Sequence, residues 1–510
     1  MDAGPQGSLL EGLNDDVLSI IVHILIVNKS RYDKNIKQLS LTSRRMRAAC
    51  LPVLFEKARV DCGFIRGSDP PQAAWPYIRT MVLYGTFTTG RGLRMGGLKQ
   101  ILPHLLSLRK ILFSNINRGV SWGELKFLLA APNLRVLEIE EPSDLVRDDF
   151  TFPGGAPSVS IPFTEFIYTT CDPKSLSRHR RRGSSPVLKR CYLDPFIFSL
   201  HETLEVLHLP AAIASLPEMA SLDWPRLREL KLYGDRYEDK GPTVLSHVCS
   251  SMPRLRDLDL RFFHKGSSKQ TLIRPADVSF PTPFDQLDSL YLSYPDPSDG
   301  IYACLPPTLQ CLSLLDRPRY YRFMRDSDVT KQGYTTPDLV TATELLHILT
   351  QLRCPCTTME RLEIAFRADD SDAALYHHIA TAFPNLRFLQ LHRYRVKGET
   401  HSDIESALTV LVRDLSTLRS LQHLRVYLDP PAEEHQLGVG VQRYLDLLRD
   451  CVWTIALYCS LALQTIDVLS TTVVRSDVWE RWEVSRDRDG TPVVELREDI
   501  YHPSLKDDNP

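Results

Sequence analysis

Residues 225–233 read PRLRELKLY, and residues 253–261 read PRLRDLDLR. Each carries three leucines in the same spacing: Leu227, Leu230 and Leu232 in the first, Leu255, Leu258 and Leu260 in the second. The last two of each set stand two residues apart. In an extended strand they share one face, with Lys231 or Asp259 on the other. Clean copies of the pattern recur at Leu204/Leu207/Leu209, Leu287/Leu290/Leu292, Leu309/Leu312/Leu314 and Leu386/Leu389/Leu391. Degenerate copies are Ile78/Met81/Leu83, Leu108/Ile111/Phe113, Leu134/Leu137/Ile139, Met359/Leu362/Ile364, Leu421/Leu424/Val426 and Leu463/Ile466/Val468. Phe163/Phe166/Tyr168 and Leu188/Cys191/Leu193 fit more loosely. Between copies, apolar residues fall at helical spacing, as in Leu345/Leu346/Leu349/Leu352 and Leu375/Ile379/Phe383. One such strand cannot hide its apolar face alone. Stacked copies bury a common core, each leucine contributing about 1.5–3 kcal/mol.

This strand–helix repetition resembles that of leucine-rich repeat proteins, over residues 76–470. The resemblance implies an α/β fold: a leucine-rich repeat solenoid, an irregular horseshoe with parallel strands on its concave side. Irregularity is expected because repeat length varies and the Asn or Cys usual shortly after the last leucine is missing. Long inserts also fall at Glu141–Pro162 and Asp316–Thr341. The block 471–510 reads differently. Trp479, Trp482 and Val484, the turn pair Asp489-Gly490, then Val493, Val494 and Leu496 predict a hairpin that caps the last repeat, followed by a tail.

Residues 1–60 differ in kind from the repeats. Asn14 or Asp15 can cap a helix in which Val17, Leu18, Ile21 and Leu25 share a face. A second helix runs from about Ile36, with Leu39, Leu41, Met46 and Ala49 apolar, and Pro52 punctuates it. Leu54, Phe55 and Val60 form a third apolar cluster. This block, with LNDDVL at 13–18, LSLTSRRMR at 39–47 and LPVLF at 51–55, resembles the F-box, with Asn14 where that family commonly has proline. The resemblance implies a small all-α F-box-like domain over 1–60, joined by a linker at 61–75. It would dock on a Skp-type adaptor of a cullin ligase through Leu13, Val17, Leu18, Ile21, Leu39, Leu41, Pro52 and Leu54. For the whole chain it implies the substrate-recognition subunit of a Skp-cullin-F-box type ubiquitin ligase, a non-enzymatic role without cofactor or metal. A leucine-rich repeat scaffold or inhibitor-like protein-binding module outside any ligase is the alternative.

If the leucines point inward, the residues between them line the opposite side of the strands. Tyrosine and arginine most often anchor interfaces, so Tyr233, Arg261, Tyr291 and Tyr427 are the expected contacts for a protein substrate. Charge alternates in sign along this side, which singles out no class of partner.

Composition excludes several other classes. Lys+Arg 61 against Asp+Glu 63 gives a net charge of -2, with no general affinity for nucleic acid or an anionic membrane. No apolar run reaches the roughly 20 residues that span a bilayer, and no basic-then-apolar leader opens the chain. A cytoplasmic or nuclear location is expected, with the 11 irregularly spaced cysteines as reduced, buried thiols. The stretch GTFTTGRGLRMGG at 85–97 lacks the Lys-Ser/Thr end of a phosphate loop. Cys354-Pro355-Cys356 lacks the second pair of a zinc site. The basic run Arg178 to Arg182 reads as a solvated insert.

Overall fold

Each triplet of leucines leads into a short strand. In a first compact unit, residues 1–206, these are β1 (Lys57–Asp61), β2 (Thr80–Tyr84), β3 (Lys110–Ser114), β4 (Val136–Glu141) and β5 (Glu165–Thr170). β6 (Val206–Pro210) begins at the division between units. The second unit, residues 207–510, then holds β7 (Glu229–Asp235), β8 (Asp257–Phe263), β9 (Ser289–Ser293), β10 (Cys311–Leu315), β11 (Arg361–Arg367), β12 (Phe388–Tyr394), β13 (His423–Tyr427) and β14 (Thr465–Ser470). An edge hairpin, β15 (Val478–Arg486) and β16 (Pro492–Leu496), follows. The computed structural model describes residues 13–27, 32–61, 70–84, 96–114, 125, 128, 131–141, 163–170, 193–211, 213–235, 243–263, 271–273, 284–317, 319–320, 338–352, 356–429, 439–470 and 478–497. The loop at 85–95, the basic run, most of both inserts, Cys354-Pro355 and the tail lie outside these.

Strands pair in chain order within each unit, in parallel from β1 to β5 and from β7 to β14. The register stacks like on like. Leu230, Leu258, Leu290, Leu312, Leu362, Leu389, Leu424 and Ile466 stand side by side in the second unit. Leu232, Leu260, Leu292, Leu314, Ile364, Leu391, Val426 and Val468 form a second row, and every one of these side chains is buried. The first unit does the same with Met81, Ile111, Leu137 and Phe166, so the loose copy at Phe163 is a full member. The copy at Leu188 is not: Leu193 lies in a helical stretch, 193–198, and its other positions fall outside the described residues.

Polar backbone at the strand entries is satisfied without an asparagine ladder. The carbonyl just before one strand accepts two consecutive N–H groups at the start of the next. Arg256 accepts from Asp288 and Ser289, Gln310 from Glu360 and Arg361, and Arg387 from Gln422 and His423, at 2.8–3.0 Å. Arg79 and Arg109 repeat the arrangement in the first unit. Because buried N–H groups must find acceptors, this recurring pair of bonds takes over part of what a side-chain ladder would do. Helices return the chain between strands. The helix Ala342–Thr350 starts at a reciprocal Thr341–Glu344 cap and buries Leu345, Ile348 and Leu349.

The head folds as α1 (Asp15–Val27), α2 (Tyr32–Ser40) and α3 (Arg44–Leu54). Two expectations need correction here. The second helix is two helices, because the Ser43 side chain accepts the Met46 N–H at 3.2 Å and starts α3 afresh. Pro52 sits inside the last turn of α3 rather than ending a helix before it. The head also stops short of residue 60: Lys57–Asp61 is already a strand, paired in parallel with Thr80–Tyr84.

Candidate functional site

Two surfaces could carry function, one in each unit. The first is on the helical head. The Asn14 side chain accepts the Asp16 N–H at 3.1 Å and its carbonyl accepts the Leu18 N–H at 3.0 Å, which starts α1. Asp15 and Asp16 then sit in the first turn, favourable against the helix dipole. The helix is apolar on almost every side, so packing sets which side faces in. Leu18 and Val22 turn inward, Val22 joining Ile36 and Cys50, with Leu39, Val53 and Leu54 packed around them. Val17, Ile20 and Ile24 turn outward at 41%, 57% and 60% exposure, and Leu41 after α2 is 78% exposed. Arg45 braces the entry to α1: it donates to the Asp15 carboxylate at 2.9 Å and to the Leu13 carbonyl.

The expected docking residues therefore separate. Val17, Leu41 and Pro52 are exposed, while Leu13, Ile21, Leu39 and Leu54 are half-buried. Leu18 is a correction, since it is buried in the head's own interior and cannot also be a surface anchor. Ile20 and Ile24 are exposed apolar side chains beside them that the sequence reading did not single out. Their signal was present in the apolar run of α1, interrupted only by Ser19 and His23, whose rotation periodicity alone leaves open.

The second surface is the side of β7–β14 opposite the leucines. Its middle row reads Lys231, Asp259, Tyr291, Ser313, Glu363, Gln390, Arg425 and Asp467 in register, continued by Arg481 of β15. The three carboxylates are buried and each holds at least one basic side chain. Asp259 lies 3.3 Å from the Lys231 ammonium and accepts Arg261 Nε at 2.7 Å. Glu363 accepts the Ser313 hydroxyl and Arg361 Nε, both at 2.7 Å. Asp467 accepts Arg425 at 2.9 and 3.0 Å and Arg481 at 2.8 and 3.0 Å. Burial pushes each of these acids upward, but the adjoining cations outweigh it and hold all three below their ordinary values. The guanidinium groups also stack on rings. Arg361 lies 3.9 Å from the centre of Phe388, Arg425 lies 5.7 Å from Phe388 and 5.1 Å from Trp479, and Arg261 lies 5.1 Å from Tyr291.

One residue-pair further along, the same side changes character. Leu315, Ala365, Tyr427 and Leu469 join Tyr294, Leu339, Tyr394 and Trp479 in a buried cluster, with Tyr320 packed against it. Tyr394 and Tyr427 meet edge to face at 5.5 Å, and His392 lies 5.6 Å from Trp479. Tyr427 donates its hydroxyl to Asp429 at 3.0 Å, and Tyr394 donates to Asp316. Tyr294 reaches this cluster through a left-handed backbone, φ +48°, immediately after β9, which overrides the alternation that would point it to the leucine side.

Of the four expected substrate contacts, Tyr233 and Tyr427 are corrected: both are buried, Tyr427 at 1% exposure, so neither ring is offered to a partner. Arg261 is clamped by Asp259, and Tyr291 is half-buried beside the Cys311 thiol at 3.3 Å. Half-buried basic and aromatic side chains instead gather at Arg361, Phe388, Arg425 and Arg481. Among the described residues no group of three or more His, Cys, Asp or Glu is placed to hold a metal ion, the described cysteines are buried and form no disulfide, and no described helix is long and apolar enough to cross a membrane.

No protein-family model matches the chain, and no curated protein matches it. Solved structures with a similar course include TLR13 in its complex with ssRNA13, at TM-score 0.31 and 12% identity, covering 72% of this chain. This chain spans 37% of that TLR13 chain. Another is the yeast Rad7 and Elc1 complex, at TM-score 0.35 and 12% identity, covering 81% of this chain and 88% of the other. A third is a leucine-rich repeat protein of Leptospira interrogans, at TM-score 0.25 and 13% identity, covering 82% and 93%. Likeness this distant leaves the fold to be read from the chain itself. Its in-register leucine rows, parallel strand order and returning helices make it a leucine-rich repeat fold.

Proposed function

We propose that this chain is a protein-binding receptor, the substrate-recognition subunit of a Skp-cullin-F-box type ubiquitin ligase. In this reading the head docks on a Skp-type adaptor and the repeat strands hold a protein substrate. One observation carries it: the outward apolar stripe of Val17, Ile20 and Ile24, with Leu41, on a short helical head that precedes leucine-rich repeats. Each such side chain left in water forgoes roughly 1.5–3 kcal/mol of burial. Anchors at i, i+3 and i+7 suit a helix seated in an apolar groove of a partner. The chain then supplies no chemistry of its own and uses neither cofactor nor metal. It raises the effective concentration of substrate near activated ubiquitin on other subunits, in the cytoplasm or nucleus, away from membrane and nucleic acid.

Co-purification of the full chain with adaptor and cullin tests this. The double variant Val17→Asp/Leu41→Asp is expected to lose the adaptor while its stability stays within about 0.5 kcal/mol, as exposed positions allow. Undiminished recovery eliminates the head as the docking surface. The second reading, a scaffold or inhibitor-like module outside any ligase, draws on Asn14 in place of the usual proline and on a second-unit surface that needs nothing from the head. It expects a protein partner to be recovered without adaptor or cullin.

A further inference from the structure

We propose that the side of β11–β14 opposite the leucines, with Arg481 of β15, binds an extended acidic segment of a partner protein through Arg361, Arg425 and Arg481. This rests on the receptor reading only in requiring a protein partner. The first support is an asymmetry of exposure. Three guanidinium groups face two carboxylates, and the cations reach water more than the acids do: the Arg361, Arg481 and Arg425 side chains are 43%, 34% and 18% exposed, against 7% for Glu363 and 6% for Asp467. The surface that a partner meets is therefore basic, although the residues beneath it are nearly balanced.

The second support is how the cations are held. Glu363 takes the Nε edge of Arg361, and Asp467 takes the Nε edges of both Arg425 and Arg481. Gripping one edge of a planar fork fixes its orientation and leaves the Nη1 edge of Arg361 and Arg425 for a second carboxylate. Phe388, half-buried between Arg361 and Arg425, lies close to both guanidinium groups and limits their freedom further. The ordering entropy of two long side chains is already spent before a partner arrives. His423 senses the same field. Burial first, then Arg481, Arg361 and Arg425 against the opposing Asp467, push its imidazole below the ordinary value.

The patch has limits. Cys311 and Ser313 adjoin it on one side without charge. On the other, Glu483 is paired with Arg497 at 2.9 Å and Glu495 stands on β16. Four inter-strand steps of about 4.8 Å, from Arg361 on β11 to Arg481 on β15, span about 19 Å, the length of about six extended residues at about 3.3 Å each. A short run of aspartate or glutamate fits that span. Salt should weaken its binding, since the cations are partly solvated.

Fluorescence anisotropy on the full chain tests the inference with three labelled probes: an octapeptide alternating Glu and Ala, one alternating Lys and Ala, and a single-stranded oligonucleotide of similar length. The Glu peptide is expected to bind in a salt-sensitive manner and the Lys peptide not to. Arg361→Glu should weaken the Glu peptide by about tenfold or more, the scale of one charge-assisted hydrogen bond. Arg481→Gln, a milder change for the case in which Arg361→Glu misfolds, should weaken it severalfold with unchanged circular dichroism. Absence of Glu-peptide binding, binding by both variants as tight as by the unaltered chain, or preference for the oligonucleotide overturns the inference. Val17→Asp/Leu41→Asp should bind the Glu peptide as the unaltered chain does. Adaptor recovery without Glu-peptide binding sinks the acidic-segment inference alone, and the opposite result sinks the ligase reading alone.

Discussion

The leucine face and the opposite face of β7–β14 are made from alternate residues of the same strands, yet only one of them is uniform. On the leucine face every row repeats one chemistry, and every side chain in it is buried. On the other face, buried acids hold exposed cations in one row, and one residue-pair later a closed aromatic cluster takes over. The contrast teaches that alternation assigns a residue to a face but does not say what covers that face. Water covers part of it here, and protein covers the rest.

Three substitutions would break or sharpen this contrast. The largest effect is expected from Leu391→Asp, which places an unpaired carboxylate inside the uniform core and should cost more than about 5 kcal/mol, enough to prevent folding. Urea unfolding checks it, and a variant within 1 kcal/mol of the unaltered chain, roughly the central effect of any substitution, would mean the leucine rows are not the core. Tyr427→Ala should cost about 3–4 kcal/mol if the far end of the opposite face is a second core, because a buried ring leaves a cavity. A loss under about 0.5 kcal/mol, typical of surface positions, would place that ring in solvent after all.

The smallest of the three is Asp467→Asn, expected to cost about 1–3 kcal/mol at pH 7 through two weakened guanidinium contacts. Its pH dependence has a definite sign. The folded protein holds the Asp467 carboxyl below its ordinary value: burial would raise it, but bonds from Arg481 and the charges of Arg425 and Arg481 prevail. The stabilisation is therefore complete above the unfolded value of about 3.9 and is lost as pH falls through the lower folded value. Asp259 and Glu363 act in the same direction. Comparing melting curves at pH 7 and pH 3 should show the deficit of the Asn variant shrinking in acid; a deficit that grows would reverse the assignment.

Much of the fold is legible in residues such as Leu230 and Leu232, because a period of two can satisfy a strand and cannot satisfy a helix. The head is legible at Asn14, a short polar side chain that starts α1, whereas Ser43 lies inside what reads as one helix and the fold makes it the start of another. The surfaces are less legible. In α1, Leu18 and Ile20 are equally apolar, and neighbouring helices determine that one is buried and the other exposed. At Tyr233 and Tyr427 the residue type suggested an interface anchor, while the structure uses both rings as filler. Arg361, Phe388 and Arg425 carry no motif. They sit two strands apart at most in space, but Arg361 and Arg425 are separated by 64 positions along the chain, and only the register Arg361↔Phe388↔His423 brings their neighbourhoods together.

The linear order of side chains was enough to establish strands, their inward leucines, a helical head and the absence of a general charge bias, since these follow from local periodicity, capping and counts. Folding in three dimensions alone settled which apolar residues of the head remain outside, where the sheet begins, and which cations come to share a carboxylate. The reason is physical: burial and charge pairing depend on what lies across a gap of a few ångströms, and such neighbours are remote in the chain.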